Sequence, residues 1–135
     1  MLKLIPPSDI PEMWPKIADW VKSVADSTNG RAQPVDFAED MIADKMALWV
    51  KDPEDPKGIV LTRFDKYPRA LVCHVAAVVG EGAIEWIHEA DETIGAWARE
   101  AGCTIFESLT RPGWERVMKK DWTKSHVLLE RVLNG

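Results

Sequence analysis

The sequence has few cysteines and no long apolar run. Only Cys73 and Cys103 occur among its 135 residues, so no disulfide framework is indicated and both are expected to be buried, reduced thiols. His88 and His126 lie on different predicted elements without ligand spacing, and no metal site is predicted. No segment approaches the roughly 18 apolar residues of a membrane-spanning helix, and the apolar N-terminal stretch is too short for a signal peptide. We therefore predict a soluble, cytoplasmic protein without a membrane partner.

The chain also lacks an excess of positive charge. Lys and Arg number 17 against 22 Asp and Glu, which gives a formal net charge of -5. A protein that binds the phosphate backbone of nucleic acid needs a basic face, so no nucleic-acid partner is expected. With 46% hydrophobic residues, the 135 residues suffice for one packed core and are too few for two ordinary domains. The sequence thus predicts a single domain over residues 1–135.

Tryptophan, in contrast, is abundant. We expect most of these side chains in the core or at its edge, where each indole N–H can find an acceptor. Because tryptophan is enriched at binding hot spots, some are also candidates for contacts with another protein or with a second copy of the chain. The seven positions are Trp14, Trp20, Trp49, Trp86, Trp97, Trp114 and Trp122.

The order of apolar periodicities predicts a mixed α+β fold. A short strand over residues 2–5 precedes two amphipathic helices, and strands at 48–50 and 59–64 then pair as a hairpin. Residues 65–68 are expected to form the next turn. The strand at 69–79 that follows is apolar on both faces, so it is predicted to lie inside the sheet with helices on both sides.

A crossover helix is predicted to connect that central strand to the next one. The helix spans residues 83–101 and ends at Gly102, so the strand at 104–109 must run parallel to the central strand. A short helix over 111–118 and a terminal strand over 125–133 complete the chain. The predicted order is β-α-α-β-β-β-α-β-α-β, with a parallel central strand pair.

The most informative feature is the turn Gly80-Glu81-Gly82 between the central strand and the crossover helix. Two glycines allow close backbone approach, and the free N–H groups and positive dipole end of the following helix favour a phosphate. The same residues also fit a tight packing corner between strand and helix. The turn alone does not decide between these interpretations.

With these elements in place, the chain resembles the GNAT superfamily, the acetyl-coenzyme-A-dependent N-acetyltransferases. The resemblance covers nearly the whole chain in element order, and its residues are most specific between Val78 and Trp114. The segments Ala98-Arg99-Glu100-Ala101-Gly102-Cys103 and Arg111-Pro112-Gly113-Trp114-Glu115-Arg116-Val117 resemble, in particular, small GNAT-like proteins of tailed bacteriophages.

This resemblance implies an acyl-coenzyme A site in the cleft where the central strand and its parallel neighbour diverge. In the superfamily, glutamine or arginine, two variable residues, glycine, a variable residue and glycine or alanine hold the coenzyme's pyrophosphate. Residues 77–82 match both glycines, but Ala77 replaces the leading polar residue and Glu81 adds a negative charge. The implied cofactor-binding residues are Val78, Val79, Gly80, Glu81, Gly82 and Ala83.

The catalytic residues are not identified by the resemblance. Transfer to an amine needs a base and commonly an acid for the departing thiolate, and the superfamily often uses a glutamate on the sheet and a tyrosine near the last helix. The only tyrosine is Tyr67, in a predicted turn, and Trp114 stands where the acid is expected. His74 and Glu107 are candidate bases and Ser108 a candidate donor to the thiol, although a histidine on an apolar strand is more often a hydrogen-bonded core residue.

Three functions stay open, and whether the protein is an enzyme is undecided. The first is an N-acetyltransferase that uses acetyl-coenzyme A. The second is a noncatalytic GNAT-like phage protein that acts in virion assembly or other protein contacts, suggested by the missing acid and base and by the tryptophans. The third is a host-directed inhibitor whose acidic surface mimics nucleic acid. Its acidic residues are Asp36, Glu39, Asp40 and Asp44.

Overall fold

A five-stranded mixed sheet forms the centre of the molecule. The structure is a computed structural model, which describes residues 1–111, 113–118 and 121–133. The strands are β1 (Leu2–Ile5), β2 (Ala47–Lys51), β3 (Gly58–Tyr67), β4 (Ala70–Gly80) and β5 (Ile105–Ser108). They lie in sequential order across the sheet, with antiparallel pairing from β1 to β4 and a parallel pair β4–β5. The mixed α+β fold is as predicted, and so is the parallel pair that the predicted central strand, β4, forms with β5.

Helices cover both faces of this sheet. The helices are α1 (Ile10–Asp26), α2 (Pro34–Ile42), α3 (Ala83–Glu100) and α4 (Trp114–Val117). The start of α2 is fixed by a capping box, in which Gln33 and Asp36 accept each other's backbone N–H groups. Within the described ranges, no helix combines the length and apolar content that crossing a membrane requires.

Two apolar cores lie on opposite faces of the sheet. Successive residues of β3 alternate between them, with Ile59 and Leu61 under α1 and α2 and Val60 under α3. All seven tryptophans are buried or half-buried, as the sequence predicts for most of them. The central strand β4 contributes to both cores, with Ala77 on the α1 face and Cys73 on the α3 face.

The hairpin between β3 and β4 is tighter than predicted. Asp65, Lys66 and Tyr67 belong to β3, and Tyr67 pairs with Ala70 across a two-residue turn. The assignment of residues 65–68 to a turn was therefore wrong for the first three of them. Cross-strand pairing with the apolar start of β4 outweighs the weak strand preference of Asp and Lys.

The predicted terminal strand over 125–133 is absent, since described residues 122–133 form neither helix nor strand. Side chains hold this segment instead. The Trp122 indole donates to Asp91 of α3 at 2.9 Å, and Arg31 in the α1–α2 loop donates to Glu130 at 2.6 Å. The segment is thus anchored by side chains to α3 and to the α1–α2 loop. The helix predicted from residue 111 begins at Trp114, and Pro112 lies outside the described residues.

One buried hydrogen bond joins β2 to β3 inside the α3-side core. Trp49 Nε1 donates to Thr62 Oγ1 at 3.2 Å, and both residues are almost fully buried.

Replacing Thr62 with valine keeps the shape but leaves the indole N–H without this acceptor. We expect the free energy of unfolding to fall by about 1–3 kcal/mol, measured by urea denaturation. Thr62→Ser keeps the hydroxyl and should cost about 1 kcal/mol for the lost methyl group. A T62V variant as stable as the parent would contradict the expectation.

Candidate active site

The central strand β4 contains an irregularity halfway along its length. Thr62 of β3 pairs with Val75, whereas Leu61 pairs with Ala77, so Ala76 has no direct partner on β3. An extra residue of this kind bends the strand and increases its local twist. The bend falls where the parallel pairing with β5 stops.

Strand β5 accompanies only the first part of β4. Their parallel register begins at the pair Val72–Ile105 and ends at Val75–Ser108. Residues 76–80 of β4 extend past this last pair, half-buried and without a β5 partner among the described residues. Backbone N–H and C=O groups on that side are therefore placed to bind an extended ligand that carries amide groups.

The turn after β4 is held tightly against the beginning of β3. Gly80 and Gly82 have φ angles of +149° and +60°, which favour glycine. The Glu81 N–H donates to the Lys57 carbonyl at 2.7 Å, and the Trp86 indole donates to the Glu81 carbonyl at 3.0 Å. Close packing thus accounts for Gly80, and the Glu81 N–H is already engaged. The first N–H groups of α3 are the donors that a helix start leaves for a ligand.

The charges around this turn have both signs. The Glu85 carboxylate lies beside Gly82, and Glu81 adds a second negative charge. Lys57 lies next to this turn through its carbonyl, and a hydrogen bond from its ammonium to Asp55 and, to a smaller extent, the charge of Glu81 raise the pKa of its side chain. Sequence reasoning missed Lys57, because the β3–β4 pairing brings it to the turn from far upstream. The sequence signal that could have indicated it is the neighbouring Gly58, which pairs with Gly80.

Two of the predicted catalytic candidates are brought into contact by the parallel strands. His74 and Glu107 are register partners, and Nδ1 of the imidazole lies 2.7 Å from Oε2 of the carboxylate. The His74 side chain is 8% exposed and that of Glu107 is 43% exposed. With its proton on Nδ1, the imidazole donates to Glu107 and keeps Nε2 as a basic nitrogen. This pair has the arrangement of a base oriented by a carboxylate.

Two residues of β3 complete a charged cluster around this pair. Arg63 is the register partner of His74, and Asp65 lies two residues further on the same face. Arg63 Nε donates to Asp65 Oδ1 at 3.0 Å. Ligand atoms of Asp65, His74 and Glu107 all lie within 4.8 Å of one another, and we call these three residues the Asp65–His74–Glu107 cluster. Sequence reasoning missed Asp65 because it placed this residue in a turn.

Ser108 does not join the His74–Glu107 pair. Its hydroxyl donates to the Val75 carbonyl at 3.3 Å, and as the neighbour of Glu107 in a strand it faces the other side of the sheet. Cys73 also faces away from His74, towards α3. Burial, with a smaller contribution from Cys103, raises the pKa of the Cys73 thiol to about 12, so it is not a nucleophile at neutral pH.

Neither residue discussed as a thiolate acid lies in a position to act beside His74. Tyr67 is the last residue of β3, four positions beyond the register partner of His74, which amounts to roughly 13 Å along the strand. It is half exposed and lies at the hairpin end of the sheet, away from the bulge. Trp114 begins α4, and its indole cannot protonate a thiolate.

The five-stranded mixed sheet with its parallel β4–β5 pair has the GNAT fold. Solved structures of acetyltransferases share this fold over almost the whole chain. An aminoglycoside acetyltransferase from an uncultured soil metagenomic sample matches with a TM-score of 0.70 at 12% identity, covering 100% of this chain and 98% of that one. A GCN5-related N-acetyltransferase from Ralstonia eutropha matches with a TM-score of 0.67 at 9% identity, covering 98% and 97%.

A third similar structure is a ribosomal-protein-alanine N-acetyltransferase from Brucella melitensis, with a TM-score of 0.58 at 12% identity and coverage of 96% of this chain and 99% of that one. At such low identity the likeness concerns the fold. No protein-family model matches the sequence, and neither does any curated protein.

Proposed function

We propose that this protein is an acetyltransferase that transfers the acetyl group of acetyl-coenzyme A to an amine. The observation that carries the proposal is the position of the His74–Glu107 pair, one residue before the point where β4 loses its β5 partner. A histidine oriented by a carboxylate therefore lies next to the unpaired edge of β4 at residues 76–80. Solved acetyltransferases share this fold.

The open edge of β4 suits the pantetheine arm of the coenzyme. That arm contains two amide groups, which can pair with backbone groups of residues 76–80 as an added strand would. The pyrophosphate would then reach the start of α3, where the N–H groups of Gly82 and Ala83 and the helix dipole favour an anion. Lys57 supplies positive charge, whereas Glu81 opposes binding unless its side chain points away.

The chemistry follows from the same residues. His74 would accept the proton of the attacking amine through Nε2, and Glu107 would hold the ring and stabilise the imidazolium that forms. Acetyl-coenzyme A supplies the acetyl group and leaves as the thiol. Because Tyr67 is remote, the proton for the thiolate is expected to come from water.

Acetyl-coenzyme A is expected to raise the melting temperature. A ligand that binds only the folded state at 100 times its Kd adds about 2.7 kcal/mol of stability, which is a shift of several degrees. Ile84→Glu puts a carboxylate in the first turn of α3 and should reduce the shift. Ala96→Glu, which adds the same charge at an exposed position later in α3, should preserve it. The absence of any shift at millimolar acetyl-coenzyme A would count decisively against the proposal.

The acceptor can be sought with the same protein. We propose a panel of primary amines that includes an aminoglycoside and a peptide with an N-terminal alanine, because similar folds carry those activities in the soil acetyltransferase and the Brucella enzyme. Release of the coenzyme thiol reports turnover. Binding of acetyl-coenzyme A without turnover on any amine would instead favour a noncatalytic role.

The finer sequence hypotheses stay predictions. A bacteriophage origin, a role in virion assembly and a cytoplasmic location rest on the sequence resemblance and composition alone. The tryptophans that suggested a contact surface are all buried or half-buried, so they do not favour the assembly role over acetyl transfer.

A further inference from the structure

We propose that the Asp65–His74–Glu107 cluster is a binding site for a divalent transition-metal cation of the Zn²⁺ class. One imidazole and two carboxylates converge there from three adjacent strands, with ligand atoms within 4.8 Å of one another. This inference reverses the sequence prediction that no metal site exists. It does not depend on acetyl transfer.

The backbone presents the three side chains in a fixed arrangement. His74 and Glu107 are direct partners of the parallel pair, and Asp65 follows the β3 residue that pairs with His74 by two positions on the same face. Strand β4 lies between its two neighbours in the sheet, so the spacing of the three Cα atoms is set by register and not by a loop. Sites built on such elements are positioned more precisely than sites on loops.

The donor set favours particular ions. Imidazole nitrogen suits Zn²⁺, Co²⁺ and Ni²⁺, whereas Mg²⁺ and Ca²⁺ prefer oxygen ligands alone. Three protein ligands also leave one tetrahedral position of Zn²⁺ for water. Two ligands at about 2.1 Å from a tetrahedral ion lie roughly 3.4 Å apart. The 2.7 Å contact between His74 and Glu107 must therefore open by a small amount, which the partly exposed Glu107 side chain permits.

The charges of the cluster leave room for a cation. With His74 neutral, the two carboxylates together carry a formal charge of −2. Arg63 balances the charge of Asp65 through the hydrogen bond between them. A divalent ion would neutralise both carboxylates in place of Arg63, with which it would compete for Asp65. The guanidinium is thus the internal competitor of the metal. Removing it should strengthen metal binding rather than weaken it.

Titration calorimetry with ZnCl₂ on the untagged full chain, in a buffer that does not chelate, tests the site. We expect one ion per chain, a raised melting temperature, and visible absorption bands of tetrahedral Co²⁺ when CoCl₂ replaces ZnCl₂. Glu107→Gln and Asp65→Asn should each raise the Kd for Zn²⁺ by about tenfold or more. Both side chains are at least partly exposed, so these variants should fold, which His74 substitutions do not guarantee.

Two matched variants complete the design. Arg63→Gln should lower the Kd for Zn²⁺, whereas His126→Ala, which removes an exposed imidazole in the C-terminal segment, should leave it unchanged. Absence of heat and of a thermal shift at millimolar ZnCl₂ overturns the proposal. So does binding that E107Q and D65N leave intact, or that H126A abolishes, because the ion would then lie elsewhere. An R63Q variant with unchanged or weaker binding would equally contradict competition for Asp65.

Discussion

A Gly80→Ala variant is expected to lose about 3 kcal/mol or more of its free energy of unfolding. An alanine Cβ at this position would lie 2.3 Å from the Gly58 Cα and 2.4 Å from the Lys57 carbonyl oxygen. Both are backbone atoms, so no side chain can turn aside to make room. The φ of +149° adds backbone strain for any residue other than glycine. The hydrogen bond between Glu81 and Lys57 ties the two segments together and limits their relaxation.

Chemical denaturation with matched glycine variants measures this loss. Gly58→Ala should be similarly costly, because its Cβ would approach the Trp86 ring and the Val79 carbonyl to 2.6 Å. Gly95→Ala, inside α3, would meet only the Phe106 ring at 3.8 Å and should gain about 0.5–1 kcal/mol. If G80A unfolds at the same denaturant concentration as the parent, the start of β3 is free to move away and the close packing inferred here is wrong.

The sheet could be predicted from the sequence because its signals are local. The strand that becomes β4 is apolar on both faces, which is typical of a strand between two helical layers. The long helix that follows it ends at a glycine, and a helix between two strands of one sheet forces them to be parallel. Periodicity and end signals were enough to predict the mixed α+β order up to α4.

Two segments were mispredicted because their structure depends on distant parts of the chain. Residues 65–67 have polar, charged character, and their strand state depends on partners in β4. The terminal segment over 125–133 has an apolar pattern that favours a strand, but it has no strand partner and is held by Trp122 and Glu130 instead. Pairing is a property of the whole sheet, and a single segment does not contain it.

The candidate site shows the same limit. His74 and Glu107 could each be identified by residue type, but their contact depends on the parallel register between strands 33 residues apart. Asp65 and Lys57 reach the site only through the β3–β4 pairing. Chemistry-bearing residues are therefore visible in the sequence one at a time, and the register decides which of them act together.

Replacing His74 with asparagine is expected to lower kcat by about 10²- to 10⁴-fold if acetyl transfer uses the His74–Glu107 pair. The asparagine amide can still donate to Glu107, so the variant keeps the polar contact of Nδ1 and removes the basic Nε2 nitrogen. Thiol release from acetyl-coenzyme A in the presence of an amine acceptor measures the rate. A chelator in the assay keeps metal ions away from the same cluster.

Binding must be unaffected for this loss to mean catalysis. The thermal shift produced by acetyl-coenzyme A should be the same in H74N and the parent, because residues 76–83 rather than His74 are proposed to hold the coenzyme. Glu107→Gln keeps the base but orients it with a neutral partner, so a smaller loss of kcat is expected. If H74N turns over as fast as the parent, His74 is a hydrogen-bonded core histidine and another group removes the proton. Loss of both turnover and the thermal shift would indicate that the substitution disturbs the sheet, since the open edge of β4 begins two residues beyond His74.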